Sequence, residues 1–353
     1  MKEYWIWFST IKNIGPVLQK RLLDYFPTPK AIFEADIDEL SVVPLIGKKI
    51  AKEIKNHPLT SVEPILTKMG EKKIDIVTYD NRQFEYVFSC KRSPILFYYL
   101  GKLPEKQGIA IVGARRCTDE GKRAAEEIAR SAAVNEIPII SGMAKGIDSY
   151  AHTSCLKENG YTVAVLAGGV DVCYPKEHAT LYEKVIDSGM VLSASPPQTR
   201  PHPKYFVERN AHITAWSKTV VVVQAAPKSG SLTTAAFAKE QGRTLFAVPQ
   251  SIYLQEGKGS NQLLVEGAKP YLNPASLGFK EKQRNHTSHR QATPTNTIEN
   301  NILSFIDTQN ISSIEEISLQ LKIQKQQLLE TLLFMEMNGL VKLRGGSLVE
   351  LAH

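Results

Sequence analysis

The chain lacks several things that would have placed it quickly. No stretch approaches the roughly 18 uncharged apolar residues of a membrane-crossing helix, so a helical membrane protein is not the reading. Cysteine is scarce and scattered. Cys90, Cys117, Cys155 and Cys173 form no C-x-x-C pair, which argues against zinc and against a disulfide framework and fits a reducing cytosol. There is no H-E-x-x-H motif and no Cys/His cluster to hold a metal. Neither G-x-G-x-x-G nor G-x-x-x-x-G-K-[ST] occurs, which disfavours a dinucleotide cofactor and a P-loop ATPase. The opening run, Met1 to Phe8, has no long apolar region and no small-residue cleavage site, so no signal peptide is expected.

What is present is ordinary for a globular protein: 353 residues, 42% hydrophobic and 22% charged. At about 150 residues per domain, two or three domains are expected. The net charge of +7 permits a nucleic-acid partner without requiring one.

Four zones separate by pattern. Residues 1–75 read as several short helices, and 76–279 alternate apolar runs with helical periods. Residues 280–296 are polar without an apolar period, a linker composition. Residues 297–353 form a compact tail of helices and a hairpin.

The second zone is the clearest. Apolar runs at 109–112, 138–140, 162–166, 191–192, 219–223 and 244–248 mostly end in glycine or polar loops that lead into helical patterns, near 120–135, 147–157 and 179–186 among them. Continuous Val/Ile runs of this kind predict a parallel sheet covered on both faces, a Rossmann-like doubly wound α/β domain. Three of the following loops are rich in glycine: Gly113-Ala114-Arg115-Arg116, Ser141 to Asp148 with Gly142 and Gly146, and Ala167-Gly168-Gly169-Val170-Asp171. Open α/β sheets bind ligands on such loops. Glycine lets backbone amides approach closely, helix N-termini favour anions, and Arg115 and Lys145 add positive charge. A phosphate is the expected ligand. Asp148 and Asp171 read as caps or loop anchors, and His152, one turn after Asp148, as a structural partner rather than a general base.

These residues carry a resemblance. Ala110-Ile111-Val112-Gly113-Ala114-Arg115, Ser141-Gly142-x-Ala144-x-Gly146-Ile147-Asp148-x-x-Ala151-His152 and Ala164 to Tyr174-Pro175 resemble the DNA-processing protein DprA (Smf) family. So do Phe206-Val207-Glu208-Arg209-Asn210, Lys228-Ser229-Gly230-Ser231-Leu232-Thr233-Thr234-Ala235, and Gly259-Ser260-Asn261-Gln262-Leu263-Leu264. The resemblance covers about residues 75–275. It implies a cytoplasmic, non-enzymatic protein without cofactor. Such a protein binds single-stranded DNA, protects it during natural transformation, loads the RecA recombinase onto it, and is usually a homodimer. The expected phosphate contacts are Gly113, Arg115, Ser141, Gly142, Lys145, Gly146, Gly168, Gly169, Ser229 and Ser231, with Lys176, Arg209 and Asn210 extending the track.

There are departures from the family pattern. Ala194 follows Ser193 where the family usually has Glu, and Ala211 stands where its Arg-Asn-Arg ends in Arg. Gln224 and Gln250 replace a frequent Glu and a usual Gly. An enzyme similar to the cytokinin-activating phosphoribohydrolases is the alternative, since it shares the fold and a glycine-rich helix start. Lys228-Ser229-Gly230-Ser231 contains no carboxylate for such hydrolysis.

The flanking zones add two modules. Ile14-Gly15-Pro16 and Ile46-Gly47-Lys48 each open an amphipathic helix, resembling tandem helix-hairpin-helix units in which Asn13 and Leu45 replace the first glycine. Such hairpins can offer amides to a phosphate or serve structure alone. Lys48, Lys49 and Lys52 read as a solvated face. The tail reads as a winged helix, with a capping sequence at Ser312-Ser313-Ile314-Glu315-Glu316, a third helix within 323–337 and a Gly345-Gly346 turn between two strands. That third helix carries Lys325 but also Glu330 and Glu336, a poor balance for reading a DNA groove. A duplex-reading regulator is a third possibility resting on this module alone.

Overall fold

The computed structural model describes residues 1–279, 297–309, 311–344 and 348–351. The linker expected at 280–296 and the Gly345-Gly346 turn lie outside the described residues.

Six short helices come first: α1 (Lys2–Thr10), α2 (Pro16–Tyr25), α3 (Pro29–Glu34), α4 (Ile37–Ser41), α5 (Lys48–Lys55) and α6 (Glu63–Lys72). Gly15 and Gly47 are the N-caps of α2 and α5. Asn13 and Leu45 adopt φ of 62° and 75°, so the two hairpins keep the left-handed turn for which glycine is the usual residue. The strain falls mainly on Leu45, because asparagine tolerates this region better. The aromatic run of α1 is buried: Trp5, Ile6, Trp7 and Phe8 join one apolar cluster with Ile95, Leu96, Tyr98 and Val191 of the following sheet. The helical unit therefore shares a core with the next domain.

That domain contains β1 (Asp75–Thr78), α7 (Glu85–Phe88), β2 (Leu96–Gly101), β3 (Gly108–Val112), α8 (Asp119–Val134), β4 (Ile139–Ser141), α9 (Ile147–Lys157) and β5 (Thr162–Val165). It continues with α10 (Ala179–Ser188), β6 (Met190–Ser193), α11 (Pro203–Ala215), β7 (Ser217–Val222), α12 (Gly230–Glu240), β8 (Thr244–Ala247), α13 (Lys258–Val265) and β9 (Lys269–Pro270). The nine strands are ordered β1-β2-β6-β5-β4-β3-β7-β8-β9. From β6 to β9 all pairs are parallel, and β1 and β2 extend the sheet antiparallel. This is the doubly wound, Rossmann-like sheet expected from the Val/Ile runs; β3 to β6 are buried throughout. The antiparallel β1 and β2 were not foreseen, because neither the short, mixed Asp75–Thr78 nor the aromatic-rich Leu96–Gly101 leads through a glycine loop into a helix. The sheet begins at Asp75, one residue before the expected boundary. Chain order reverses between β3 and β7, so the crevice at the carboxyl ends of those two strands is the place for a ligand.

The tail follows as α14 (Thr297–Gln309), β10 (Ile311–Ser313), α15 (Ile314–Gln320), α16 (Lys325–Met337), β11 (Val341–Arg344) and β12 (Leu348–Leu351), with strands ordered β10-β12-β11. The capping box at the start of α15 is formed by Ser313 and Glu316. Leu328, Leu332 and Met335 of α16 fill the tail's own core. The helix also packs on the central domain. Lys184 Nζ lies 3.8 Å from the centre of the Phe334 ring, and Lys157 Nζ donates to the Met337 carbonyl at 2.6 Å. Met337 belongs to the shared core.

Candidate functional site

Two adjoining cavities open at the crevice between β3 and β7. The larger, about 280 Å³, is walled by Gly113 and Arg115 after β3, by Phe206, Arg209 and Asn210 of α11, and by Ser229, Ser231 and Thr233 at the start of α12. The smaller, about 90 Å³, lies among Arg115, Ala144, Lys145, Tyr174 and Phe206. Arg115 lines both and is exposed. Its guanidinium sits 5.8 Å from the centre of the Phe206 ring, and the Tyr174 ring packs edge-on against Phe206 at 5.7 Å. No ion pair joins Arg115 to a carboxylate among the described residues. Arg116 is exposed and lines neither cavity.

Close approach of the first two glycine loops makes this geometry possible. A side chain on Gly113 would run into Ile147, with its Cβ 2.7 Å from Cγ1. Gly146, at φ 78°, lies where a Cβ would overlap the Ala114 and Arg115 carbonyls. The Ile147 amide then donates to the Ala114 carbonyl, locking one loop to the other and fixing the Arg115 backbone.

Beneath the cavities lies a buried charged strut. Asp148, 6% exposed, accepts from the Gly142 amide at 3.1 Å and the Ala144 amide at 3.3 Å. Arg209, also 6% exposed, donates through Nη1 to the Gly142 and Val165 carbonyls. Its guanidinium faces the Asp148 carboxylate across Gly142, where any side chain would overlap it. Burial pushes the Asp148 carboxyl upward, while Arg209 and the two amides hold it down. Asp148 is thus the loop anchor that the sequence suggested.

Several expected contacts are placed elsewhere. Ser141 is buried and donates its hydroxyl to the Ile111 carbonyl at 2.6 Å. Gly142 lines the smaller cavity, but its amide donates to Asp148. Arg209 lines both cavities but is buried, and its Nη1 is engaged by the Gly142 and Val165 carbonyls. The third glycine loop does not reach the cavities, because it follows β5, three strands from β7 across the sheet. There the Gly169 amide donates to the Thr199 carbonyl at 2.8 Å, Gly168 packs under the Thr199–Pro201 turn, and Asp171 accepts from the Gln198 amide at 2.7 Å. Lys176 is exposed in the turn beside α16 and lines neither cavity. Lys145 does line the smaller cavity, paired with Glu177 at 3.0 Å. Asn210 donates to the Gly230 carbonyl at 3.2 Å, and Ser229 caps α12 while its hydroxyl meets that of Ser231 at 2.7 Å. His152 is wholly buried, with Nδ1 2.7 Å from the Thr162 hydroxyl, as the structural reading expected.

Phe206 and Tyr174 were not among the expected contacts, although both fall inside the quoted motifs. A search for phosphate chemistry selects glycine and cations; an aromatic in the run Pro203-Lys204-Tyr205-Phe206 becomes visible as a site residue only when it stands beside Arg115.

Comparisons agree with this architecture. A family model described as DNA recombination-mediator protein A matches residues 75–278, and one described as a SAM-like helix-hairpin-helix tandem matches 8–57. The chain is 35% identical over 290 residues to a Smf protein of Synechocystis sp., covering 78% of this chain and 73% of that one. It is 38% identical over 179 residues to the DNA processing protein DprA of Streptococcus pneumoniae, covering 50% and 63%. The solved structure of DprA from Streptococcus pneumoniae superposes with a TM-score of 0.67 at 27% identity, covering 79% of this chain and 99% of that one. A Helicobacter pylori DprA structure, described for its single-stranded DNA binding mode, gives 0.52 at 28% identity over 58% and 94%.

Proposed function

The chain belongs to the DNA recombination-mediator protein A family, and from that premise we propose that it binds single-stranded DNA through the β3–β7 crevice and works as a DNA-processing protein of natural transformation. Protection of the incoming strand and loading of the RecA recombinase onto it belong to the same proposal.

One observation carries the reading: an exposed arginine with no carboxylate partner among the described residues stands beside two aromatic rings at the mouth of the crevice. The guanidinium suits a backbone phosphate, the rings suit base faces, and neither reads sequence. Support against hydrolysis comes from the cavity walls. The one carboxylate among their described lining residues is Asp148, whose Oδ2 already accepts two amides. Duplex reading by the tail draws little support, since α16 is covered by its own core on one side and by the central domain on another. Among the described residues no helix is long and apolar enough to cross a membrane.

Arg115→Ala weakens binding of an oligothymidylate by about 1.5–3 kcal/mol, the worth of a charge-assisted hydrogen bond. It also flattens the salt dependence by roughly one unit. Arg116→Ala has a smaller effect. A salt-dependent anisotropy titration decides it: unchanged affinity and slope for Arg115→Ala sink the assignment. Release of free base from a nucleoside monophosphate, followed by chromatography, would favour the hydrolase.

A homodimer is part of the proposal, through the β8–β9 edge. Ile252, Tyr253, Val265 and Leu272 there are all more than two-thirds exposed, whereas Leu263 is buried in the core. Two crevices held together raise avidity for one strand. The full chain sediments as a dimer at micromolar concentration and Val265→Glu as a monomer; a monomeric parent chain refutes the placement.

A further inference from the structure

A third cavity, about 450 Å³, lies on the other face of α11. Its volume is that of a small-ligand site. Val207 lines both this cavity and the crevice and is half exposed, so α11 forms a low ridge between them. Ala194 and Ala211, the two alanines that stand where the family pattern has Glu and Arg, both line it. Departures separated in sequence coincide in space and leave open a volume that two long side chains would occupy.

The walls are chemically selective. Phe237 presents a ring with the Arg92 guanidinium 5.1 Å from its centre, and Arg92 is held by Glu240 at 3.2 Å. Val17 and Pro94 add apolar surface. His212, 6% exposed, lines the cavity, and its buried Nδ1 has no hydrogen-bond partner. A buried polar atom left without a partner is costly unless something else supplies one. At the rim stand Lys91 and the start of α2, a ten-residue helix whose N-cap, Gly15, is exposed, makes no side-chain cap and has open space beside it. Glu208 of α11 also lines the cavity.

We propose that this cavity takes a nucleobase of the strand bound in the β3–β7 crevice. The base lies against Phe237 and donates an N–H to His212, and its phosphate meets Lys91 and the free amides at the start of α2. The inference rests on the single-strand reading above. It extends the strand's path across α11 to the first hairpin, so that the helical unit becomes part of the binding surface. Free amides at a helix N-terminus are a ready anion site, and base stacking on aromatic rings tolerates any sequence.

Full-length protein is titrated with a short oligothymidylate and irradiated with the same oligomer carrying 4-thiothymidine. The expected crosslinks include Phe237 or the Lys91–Pro94 segment. Ala194→Phe, which fills the cavity, and Val17→Asp, at a half-exposed position, each weaken binding at least about fivefold, the lower end for one stacked base. Crosslinks confined to Phe206 and Tyr174, or full affinity in both variants while Arg115→Ala still binds weakly, overturn the cavity and leave the crevice standing. Full affinity in all three variants overturns the crevice assignment as well, and a parent chain that does not bind the oligomer overturns the single-strand reading itself. If Ala194→Phe fails to fold, Val17→Asp and the crosslinking decide.

Discussion

Arg209→Met unfolds with about 3–5 kcal/mol less stability than the parent chain, the usual loss when one partner of a buried charge pair is removed. The length of the side chain is kept, so the loss comes from charge and hydrogen bonding. The Gly142 and Val165 carbonyls lose their donor, and the Asp148 carboxylate keeps its two amides but not the guanidinium facing it. The consequence reaches the crevice. Gly142 and Ala144 are held by Asp148, and the Gly146–Ile147 turn that follows them fixes Arg115, so the variant also binds single-stranded DNA more weakly although Arg209 itself is buried. Urea unfolding and anisotropy on the same preparation check both parts. Asp148→Asn added to Arg209→Met recovers part of the stability, because residues in one network are not additive. A loss under about 1 kcal/mol would mean that the strut is not a stabilising unit.

Acidification from about pH 7 to pH 5 costs this protein about 4 kcal/mol through two histidines. His152 and His212 are buried, and desolvation pulls each down to about 3 from an ordinary value near 6.5. Below 6.5 the unfolded chain takes up protons at these sites while the native chain does not until pH approaches 3. Stability contributed by the neutral rings is therefore complete above 6.5 and declines as pH falls. At 1.36 kcal/mol per unit, each ring costs about 2 kcal/mol by pH 5. Buried His178 is also lowered and acts in the same direction, whereas Asp148, pushed upward by burial, acts in the opposite one. His212→Phe removes one of the two rings, so the drop between pH 7 and pH 5 shrinks by about half in urea titrations. An unchanged drop would show that the ring titrates as if exposed.

Much of the fold was legible from the residues. Fully buried parallel strands need continuous Val/Ile runs, and glycine ends them wherever the chain turns tightly into a helix. The helices expected at 120–135, 147–157 and 179–186 appear at Asp119–Val134, Ile147–Lys157 and Ala179–Ser188. The antiparallel β1 and β2 stayed hidden, since β1 is four residues of mixed character and β2 divides its side chains between two cores, Leu96 and Tyr98 in the one shared with the helical unit and Phe97 in the other.

The sequence by itself determined the doubly wound sheet, the family and the placing of two glycine loops and Arg115 at strand ends, because these depend on local backbone requirements and on residue types read in order. The tertiary structure alone decided which expected contacts face the crevice. Strand order puts the loop after β5 three strands from β7, so Gly168 and Gly169 pack under the 196–201 turn that follows β6, although their sequence resembles the other loops. Burial, which no residue type carries on its own, ties the Arg209 guanidinium at the cavity wall to the Gly142 and Val165 carbonyls. Packing brought Phe206 and Tyr174 beside Arg115 and set Ala194 and Ala211 on one cavity wall, because such neighbours are chosen by the crossing of helices over the sheet and not by distance along the chain.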